Sequence, residues 1–300
     1  MNNLEAISTP VEEKPSMPEP VVGVGLGSDY RSVTRKAVEN AGGLGGIIKQ
    51  NDIVVIKPNL VQKSSKEEGI VTDYRVVQEI VDLAKECGAK RIIIMEASPF
   101  GNVFEGSNYT HISGAELFDM NECREEDCYK IKPDGSLTNT ALFIPRAYMD
   151  ADVVIGAAKL KTHFEYDAVV SLSLKNSIGV PPLGLYGTDY KEKLHLLGLK
   201  EAIVDLNKIR RPDFAIIDGI VGGQGYGPLL VEPVQSNIVL AGTDPVAVDT
   251  AALIFMGFTV DEVPHVKLAS KEGLGVSELS KIKIIGADLE SIKMKFKRAQ

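Results

Sequence analysis

Short apolar runs rich in β-branched residues recur along this chain, and amphipathic segments of helical length separate them. Five such runs, at 21–25, 52–56, 91–95, 152–158 and 213–217, lack the regular polar alternation of a strand with one face in water. Apolar strands joined by helical crossovers are typical of a mainly parallel sheet with helices on both faces. The sequence therefore predicts an α/β protein.

Two stretches interrupt this pattern. Residues 97–140 are rich in Gly, Asn and Glu and weakly periodic, apart from a predicted short helix after Ser113, and residues 165–200 form a second irregular region. We expect both to be excursions that form a small cap or subdomain.

The Pro-, Glu- and Ser-rich residues 1–20 predict a disordered tail. Residues 21–300 are then expected to form a single α/β domain, as one body or as two lobes.

Composition limits the classes of partner. The formal net charge of -8 argues against nucleic acid, because a surface that tracks phosphates needs a basic excess. No apolar run is long enough to span a bilayer, and the first twenty residues lack the basic and apolar regions of a signal peptide. Three cysteines in a chain of 300 residues do not suggest a disulfide framework. We therefore expect a cytoplasmic protein without a membrane partner.

Polar side chains follow four of the apolar runs. They are Lys57 and Asn59, Glu96, Lys159 and Lys161, and Asp218. Ligands of open parallel sheets bind outside the carboxyl ends of the strands. We therefore expect a shared site at this edge of the sheet.

The segment KLKTH at 159–163 places three basic or titratable side chains at alternate positions. In extended backbone, Lys159, Lys161 and His163 share one face. Because like charges repel, something negative should lie among them. It is either a carboxylate of the protein or a ligand.

Further candidates lie downstream in the chain. Lys175 and Asn176, ahead of a Gly-Val-Pro-Pro stop, either hold an anion or belong to an ordinary amphipathic turn. His195 is either a structural residue or a catalyst. The glycines of the segment 219–227, including Gly225 and Gly227, either approach a ligand closely or form a flexible surface loop.

Three aspartates open or interrupt predicted helices. Asp73 and Asp244, the latter followed by proline, are expected to cap helices, and Ser28 is expected to cap an earlier one. Asp249 lies inside an otherwise apolar helix. A buried carboxylate needs a cation or a donor as partner, and we expect the lysines to supply it.

Several motifs occur together and in order: VVIKPNLV, ADVVIGAAKLKTH, SLSLKNSIGVPP, IIDGI, GYGP and DPVAVD. In this combination the sequence resembles domain-of-unknown-function family 362. The motif positions of that family in this chain are Lys57, Asn59, Lys159, Lys161, His163, Lys175, Asn176, His195, Asp218, Asp244 and Asp249. Many members carry an additional ferredoxin-like domain with cysteine quartets. This chain has no such quartet, so we expect no iron–sulfur cluster to be held by this chain alone.

A weaker resemblance is to the nickel-pincer lactate racemase family. There too a strand ends in a polar segment with histidine, followed by a turn that bears Gly and Lys. The proline-rich arginine motif of that family is missing here. The resemblance implies acid–base chemistry and no more.

Two functional hypotheses follow. In the first, the protein is an enzyme for a small carboxylate or phosphate: an isomerase or racemase, a lyase, or an externally assisted reductase. Substrate would bind to Lys57, Asn59, Lys159, Lys175, Asn176, Gly225 and Gly227, and Lys161, His163, His195 and Asp218 would be catalytic. Asp218 and Asp249 are candidate ligands of a divalent metal.

In the second hypothesis, the protein binds a cofactor or accepts electrons from a separate ferredoxin-type protein. A structural alternative also stays open, in which the lysines pair with Asp218, Asp249 and Glu96 in an interior network. The cost of burying many charges argues against it.

Overall fold

The computed structural model describes residues 19–63, 68–188 and 190–299. The tail predicted at 1–20 lies outside these residues except for Glu19 and Pro20. The strands are β1 Val21–Leu26, β2 Ile53–Pro58, β3 Arg91–Glu96, β4 Glu116–Asp119, β5 Cys128–Ile131, β6 Leu142–Pro145, β7 Val153–Thr162, β8 Val170–Ser171, β9 Phe214–Tyr226, β10 Leu230–Gly242 and β11 Lys283–Ile285. The helices are α1 Tyr30–Asn40, α2 Tyr74–Glu86, α3 Arg146–Met149, α4 Leu183–Tyr186, α5 Glu192–Leu196, α6 Leu199–Arg210, α7 Pro245–Met256 and α8 Pro264–Lys271.

Within the described residues, nine strands form the central sheet in the order β11-β1-β10-β9-β7-β2-β3-β4, with β8 paired on β7. The neighbours β9-β7-β2-β3-β4 run parallel, as do β1 and β11. β10 lies antiparallel between β1 and β9. The predicted mainly parallel α/β sheet is confirmed. The prediction of a single domain over 21–300 stays a prediction.

Helices cover both faces of the sheet, as predicted. Val54 and Ile56 of β2 pack with α1 and α2, whereas Ala215 and Ile217 of β9 pack with α6, α7 and α8 on the other face. Alternate residues of apolar strands point to opposite faces, so a sheet covered on both sides buries them all. The continuous apolar runs are explained by this burial.

Two of the three predicted helix caps are correct. The side chains of Asp73 and Asp244 accept hydrogen bonds from the first-turn backbone N–H groups of α2 and α7. The cap of α1 is Asp29 and not Ser28, because the Asp29 carboxylate accepts from the Ser32 N–H. All three are short polar side chains that satisfy donors left open at a helix start.

The excursions differ from the expectation. The element that directly follows Ser113 is the parallel strand β4, which extends the sheet edge, and only two three-residue 3₁₀ helices, Met120–Glu122 and Glu125–Asp127, come after it before β5. β5 and β6 form a separate two-stranded sheet. The segment 219–227 is not a surface loop, because β9 continues through it and pairs with β10 as a long hairpin. The fully apolar part of the hairpin was recognisable in sequence, but its glycine-rich part has no strand-like composition.

Candidate functional site

Strand β7 carries the KLKTH segment further into the sheet than expected. The predicted strand ended at 158, whereas the observed strand runs to Thr162. Lys161 pairs with Ser171 of β8 on one side and with Gly223 of β9 on the other. The pairing keeps this segment extended, so that Lys159 and Lys161 point to the same face, as predicted.

A cavity of about 490 Å³ opens at this edge of the sheet. Seven of the predicted site residues line it: Lys57, Asn59, Lys161, His163, Lys175, Asn176 and His195. Glu96, at the end of β3, also lines the cavity. Side chains at the carboxyl ends of β2, β3 and β7 thus meet at one place, as the parallel-sheet rule led us to expect.

Lys159 and Asp218 do not line the cavity. They are direct cross-strand neighbours on β7 and β9, and Lys159 Nζ donates to Asp218 Oδ2 at 2.7 Å in a buried ion pair. The backbone N–H groups of Asp73 and Ile220 also donate to the Asp218 carboxylate. The geometry therefore places Lys159 and Asp218 in an ion pair outside the cavity lining, and their predicted substrate-binding and catalytic roles stay predictions.

No lysine among the described residues pairs with Asp249, contrary to the expectation. Its two carboxylate oxygens accept hydrogen bonds from the backbone N–H groups of Ser173 and Leu174, at 2.7 and 3.0 Å. Burial raises the pKa of Asp249 to about 7, although both backbone donors act to lower it. Asp249 thus fixes the start of a 3₁₀ helix at Leu174–Gly179, which carries Lys175 and Asn176.

In the part of the chain that the structure describes, no cluster of three His, Cys, Asp or Glu side chains is arranged to hold a metal ion. Asp218 and Asp249 are each occupied by protein donors, as described above. The two predicted metal ligands are therefore not brought together at the cavity.

Gly225 and Gly227 also lie outside the cavity lining, whereas Tyr226 and Pro228 belong to it. A Cβ atom on Gly227 would lie 1.8 Å from the Thr162 carbonyl oxygen, so the hairpin approaches β7 too closely for any side chain. Gly225 has φ +83, a left-handed conformation that favours glycine. Both glycines shape the cavity wall and are not placed to contact a ligand directly.

Lys57 and Glu96 form a buried ion pair at the base of the cavity. Lys57 Nζ donates to Glu96 Oε2 at 3.0 Å and to Asn176 Oδ1 at 3.2 Å. Glu96 also accepts from the backbone N–H groups of Leu60 and Ala97, at 2.8 and 3.0 Å. Lys57 thus has a carboxylate partner of its own.

Lys161 has no carboxylate partner among the described residues. Its fully buried Nζ donates to two backbone carbonyl oxygens, those of Ile70 at 2.5 Å and Pro228 at 3.3 Å. Burial lowers the pKa of Lys161 well below its ordinary value, and the charges of Lys175 and Lys159 lower it further. A neutral amine has two N–H donors and one lone pair. Both donors are used here, which leaves the lone pair available for a proton.

Two further lysines line the same cavity. Burial lowers the pKa of Lys175 to about 8, against the opposing charge of Glu165, and lowers that of Lys191 to about 7. Lys191 is buried and donates to the Ile178 carbonyl oxygen at 2.8 Å. Sequence reasoning missed Lys191, because nothing in its polar surroundings signals burial.

Glu165 connects the two histidines of the site and was also missed. Its Oε1 lies 2.8 Å from His195 Nδ1, and its backbone N–H donates to His163 Nδ1. Burial acts to raise the pKa of Glu165, but the hydrogen bond from His195 together with the charges of His195 and Lys175 keeps it below the ordinary value. When His195 donates its Nδ1–H to the Glu165 carboxylate, Nε2 is the ring nitrogen left for other contacts. The alternation of His163 and Glu165 was the available signal.

His163 is more deeply buried than His195. Burial lowers the pKa of His163 strongly, followed by the charges of Lys175 and Lys161. Because its Nδ1 accepts a hydrogen bond, the neutral ring carries its proton on Nε2. His163 is thus suited to donating a hydrogen bond through Nε2.

Asn59 has an unpartnered oxygen at this site. In the described residues, no donor lies within hydrogen-bonding distance of the buried Oδ1 of Asn59, although its Nδ2 donates to Asn176 Oδ1 at 3.4 Å. A buried polar atom without a partner carries a desolvation cost that a bound donor would relieve. Glu165, which also lines the cavity, likewise has a buried oxygen, Oε2, without a hydrogen-bond partner among the described residues. The cavity therefore offers a ligand several lysines and these two acceptors.

Comparisons with known proteins bear on this site. The profile of a family described as a domain of unknown function, DUF362, matches residues 54–253, a span that includes every predicted site residue. The thylakoid-associated protein sll1697 of Synechocystis sp. is 29% identical over 253 residues, which are 81% of this chain and 74% of that protein.

One solved structure is similar in three dimensions. The lactate racemase apoprotein of Thermoanaerobacterium thermosaccharolyticum superposes with a TM-score of 0.52 at 11% sequence identity. The match covers 79% of this chain, which spans 57% of the length of that one. This likeness concerns the fold.

No helix in the described residues has the length and apolar character needed to cross a bilayer.

Proposed function

The chain belongs to the DUF362 family, and from that premise we propose that it is an enzyme that transfers a proton on a small organic anion, a carboxylate or a phosphate. The observation that carries this proposal is the group of lysines at the cavity. Lys161, Lys175 and Lys191 all line it, and none makes an ion pair with a described carboxylate. Burying cations without counter-charges is costly, and a bound anion would compensate them.

The four lysines that line the cavity would have different chemical roles. Lys175 and Lys191, with pKa values of about 8 and 7, are cationic at neutral or slightly acid pH and would attract the anion as point charges. Lys161, whose pKa burial lowers well below the ordinary value and two of whose N–H donors are occupied, would act as a general base when neutral, and once protonated its third N–H would contact the anion. Lys57 keeps its partner Glu96 and helps to hold Asn176 at the cavity wall.

His195 and Glu165 supply a second group able to move a proton. The carboxylate orients the imidazole, as in other histidine–carboxylate pairs, and leaves Nε2 free to accept or return a proton. A base on each of two different elements, β7 and α5, suits a reaction that removes a proton at one position and delivers one at another. Isomerisation, racemisation and elimination all fit this requirement.

The thermal unfolding temperature of the protein in phosphate, acetate and chloride at equal ionic strength tests the proposal. An anion at 100 times its Kd adds about 2.7 kcal/mol of stability. With an unfolding entropy of about 0.6 kcal/mol per degree for 300 residues, this raises Tm by about 4 °C. Lys161→Met should keep the fold and lose this increment, and the increment should shrink between pH 6.5 and 9 as Lys191 and Lys175 lose their protons.

A matched control is Lys90→Met, because Lys90 is exposed and precedes β3 at the opposite end of the strand from the cavity. It should retain the whole increment. If phosphate and acetate stabilise the protein no more than chloride, the cavity is not an anion site and the proposal is wrong. The hypothesis of a cofactor-binding or redox-partner protein stays a prediction, and visible absorption of the purified protein would support it.

A further inference from the structure

The mouth of the cavity is apolar, in contrast to its floor. Among the described residues, ten large hydrophobic side chains are exposed, and four of these line this one cavity: Phe164, Tyr190, Tyr226 and Leu230. Single exposed hydrophobic residues are normal on protein surfaces, whereas a group of them around one concave opening marks a binding site.

Charge and exposure are ordered with depth in this cavity. The cations at its base are buried, with Lys161 at 0% and Lys191 at 2% exposed, whereas Phe164 and Tyr190 at its mouth are 58% and 51% exposed. A ligand that fills the cavity must therefore present an anionic end to the floor and an apolar body to the mouth.

Two of the aromatic side chains at the mouth are held by other rings. Phe164 stacks on His163 with ring centroids 5.2 Å apart and an interplanar angle of 16°, and Tyr190 meets Phe100 edge to face at 5.2 Å. Rings fixed in this way are oriented surfaces for further aromatic contacts, which favour stacked and edge-to-face arrangements. A flexible aliphatic chain would not need oriented rings.

The volume excludes a very small acid as the complete ligand. A three-carbon hydroxy acid displaces roughly four waters, or ~120 Å³. This is about a quarter of the 490 Å³ cavity. Cavities of about 300–1,000 Å³ are the size that encloses larger organic ligands.

We infer that the site takes an anion carried on a planar aromatic ring system, an aryl carboxylate or aryl phosphate. The anionic group would bind at Lys161, Lys175 and Lys191, and the ring would contact Phe164, Tyr190 and Tyr226. This inference rests on the proposed function, because it assumes that the lysines bind an anion. It specifies the substrate class, which the lysines alone do not.

Calorimetric titration with four carboxylates tests the inference: acetate, cyclohexanecarboxylate, benzoate and 2-naphthoate. The expected result is at least about 10-fold tighter binding of 2-naphthoate than of acetate, with benzoate tighter than cyclohexanecarboxylate of similar size. Phe164→Ala should weaken 2-naphthoate about 2- to 10-fold and leave acetate unchanged. Tyr166→Ala is the matched control, since Tyr166 is more exposed than Phe164 and does not line the cavity; it should bind all four like the unmodified protein.

The possible outcomes distinguish the aromatic-ligand inference from the anion-site proposal. Equal affinity for all four acids, with no effect of Phe164→Ala, would overturn the aromatic ligand and leave the anion site standing. Equal affinity for cyclohexanecarboxylate and benzoate would likewise reject a ring-specific site. Absence of binding by every acid would overturn both. A last outcome is that the protein sediments with neutral lipid vesicles, that Phe164→Ala abolishes this sedimentation, and that 2-naphthoate does not bind. The apolar mouth would then be a bilayer contact, and the inference would be overturned.

Discussion

The buried pair of Lys57 and Glu96 offers the sharpest test of how this protein tolerates charge in its interior. In Glu96→Gln the carboxylate becomes a neutral amide, and Lys57 stays buried with no counter-charge. The amide has one oxygen, whereas the carboxylate accepts from Lys57, Leu60 and Ala97 through two. At least one donor therefore loses its acceptor as well.

The expected loss of stability is large. Removing one member of a buried ion pair costs about 3–5 kcal/mol, because the other charge is left uncompensated. With an unfolding entropy of about 0.6 kcal/mol per degree for a chain of 300 residues, Tm should fall by about 5–8 °C. Thermal unfolding followed by circular dichroism and by calorimetry measures this change. The double variant Glu96→Gln/Lys57→Met removes both charges and should recover at least about 2 kcal/mol of the loss.

The exposed pair of Lys293 and Glu290, at 3.1 Å, provides the control. Glu290→Gln should cost less than about 1 kcal/mol, since water and salt screen exposed charges. If Glu96→Gln costs no more than Glu290→Gln, Lys57 does not depend on Glu96 and is neutral or solvated in the folded protein. If the double variant is less stable than Glu96→Gln, the ion pair is not the source of the loss.

Two further predictions concern pH. Because burial raises the pKa of Asp249 to about 7, the folded state holds a proton there that the unfolded state releases near pH 4, so this group makes stability fall between pH 4 and 7. Asp249→Asn should therefore cost most at pH 5 and less at pH 8, measured by urea denaturation; a cost that grows with pH would mean that the backbone donors outweigh burial. Since the charge of Glu165 raises the pKa of Lys175, Glu165→Gln should move the loss of phosphate-dependent stabilisation to lower pH, and an unchanged midpoint would exclude coupling between the two.

The sequence by itself determined the sheet and the approximate place of the site. Apolar runs predicted the strands that form the centre of the sheet, because complete burial on both faces leaves a local signature in composition. Asp73 and Asp244 were recognisable as caps, because capping acts within the first turn of a helix. The polar residues after β2, β3 and β7 meet at the cavity since parallel strands end at the same edge.

Tertiary structure decided which of these residues line the cavity. Lys159 and Lys161 look equivalent in sequence, as both follow the same apolar run at alternate positions. A register shift between β7 and β9 places Asp218 opposite Lys159 and the side-chain-free Gly223 opposite Lys161. One lysine is therefore neutralised by its neighbour, and the other extends to the cavity. Strand alternation is a local property, whereas register depends on the pairing of two segments that are far apart in the chain.

The same difference between local sequence pattern and long-range contacts explains why Lys191 and Glu165 were not predicted as site residues. Both lie in the irregular stretch 165–200, where no periodic pattern shows which side chains are covered. Lys191 is buried, and Glu165 contacts His195, which is thirty residues away in the chain. Burial of a polar residue in such a segment depends on what packs against it, and only the folded chain specifies that.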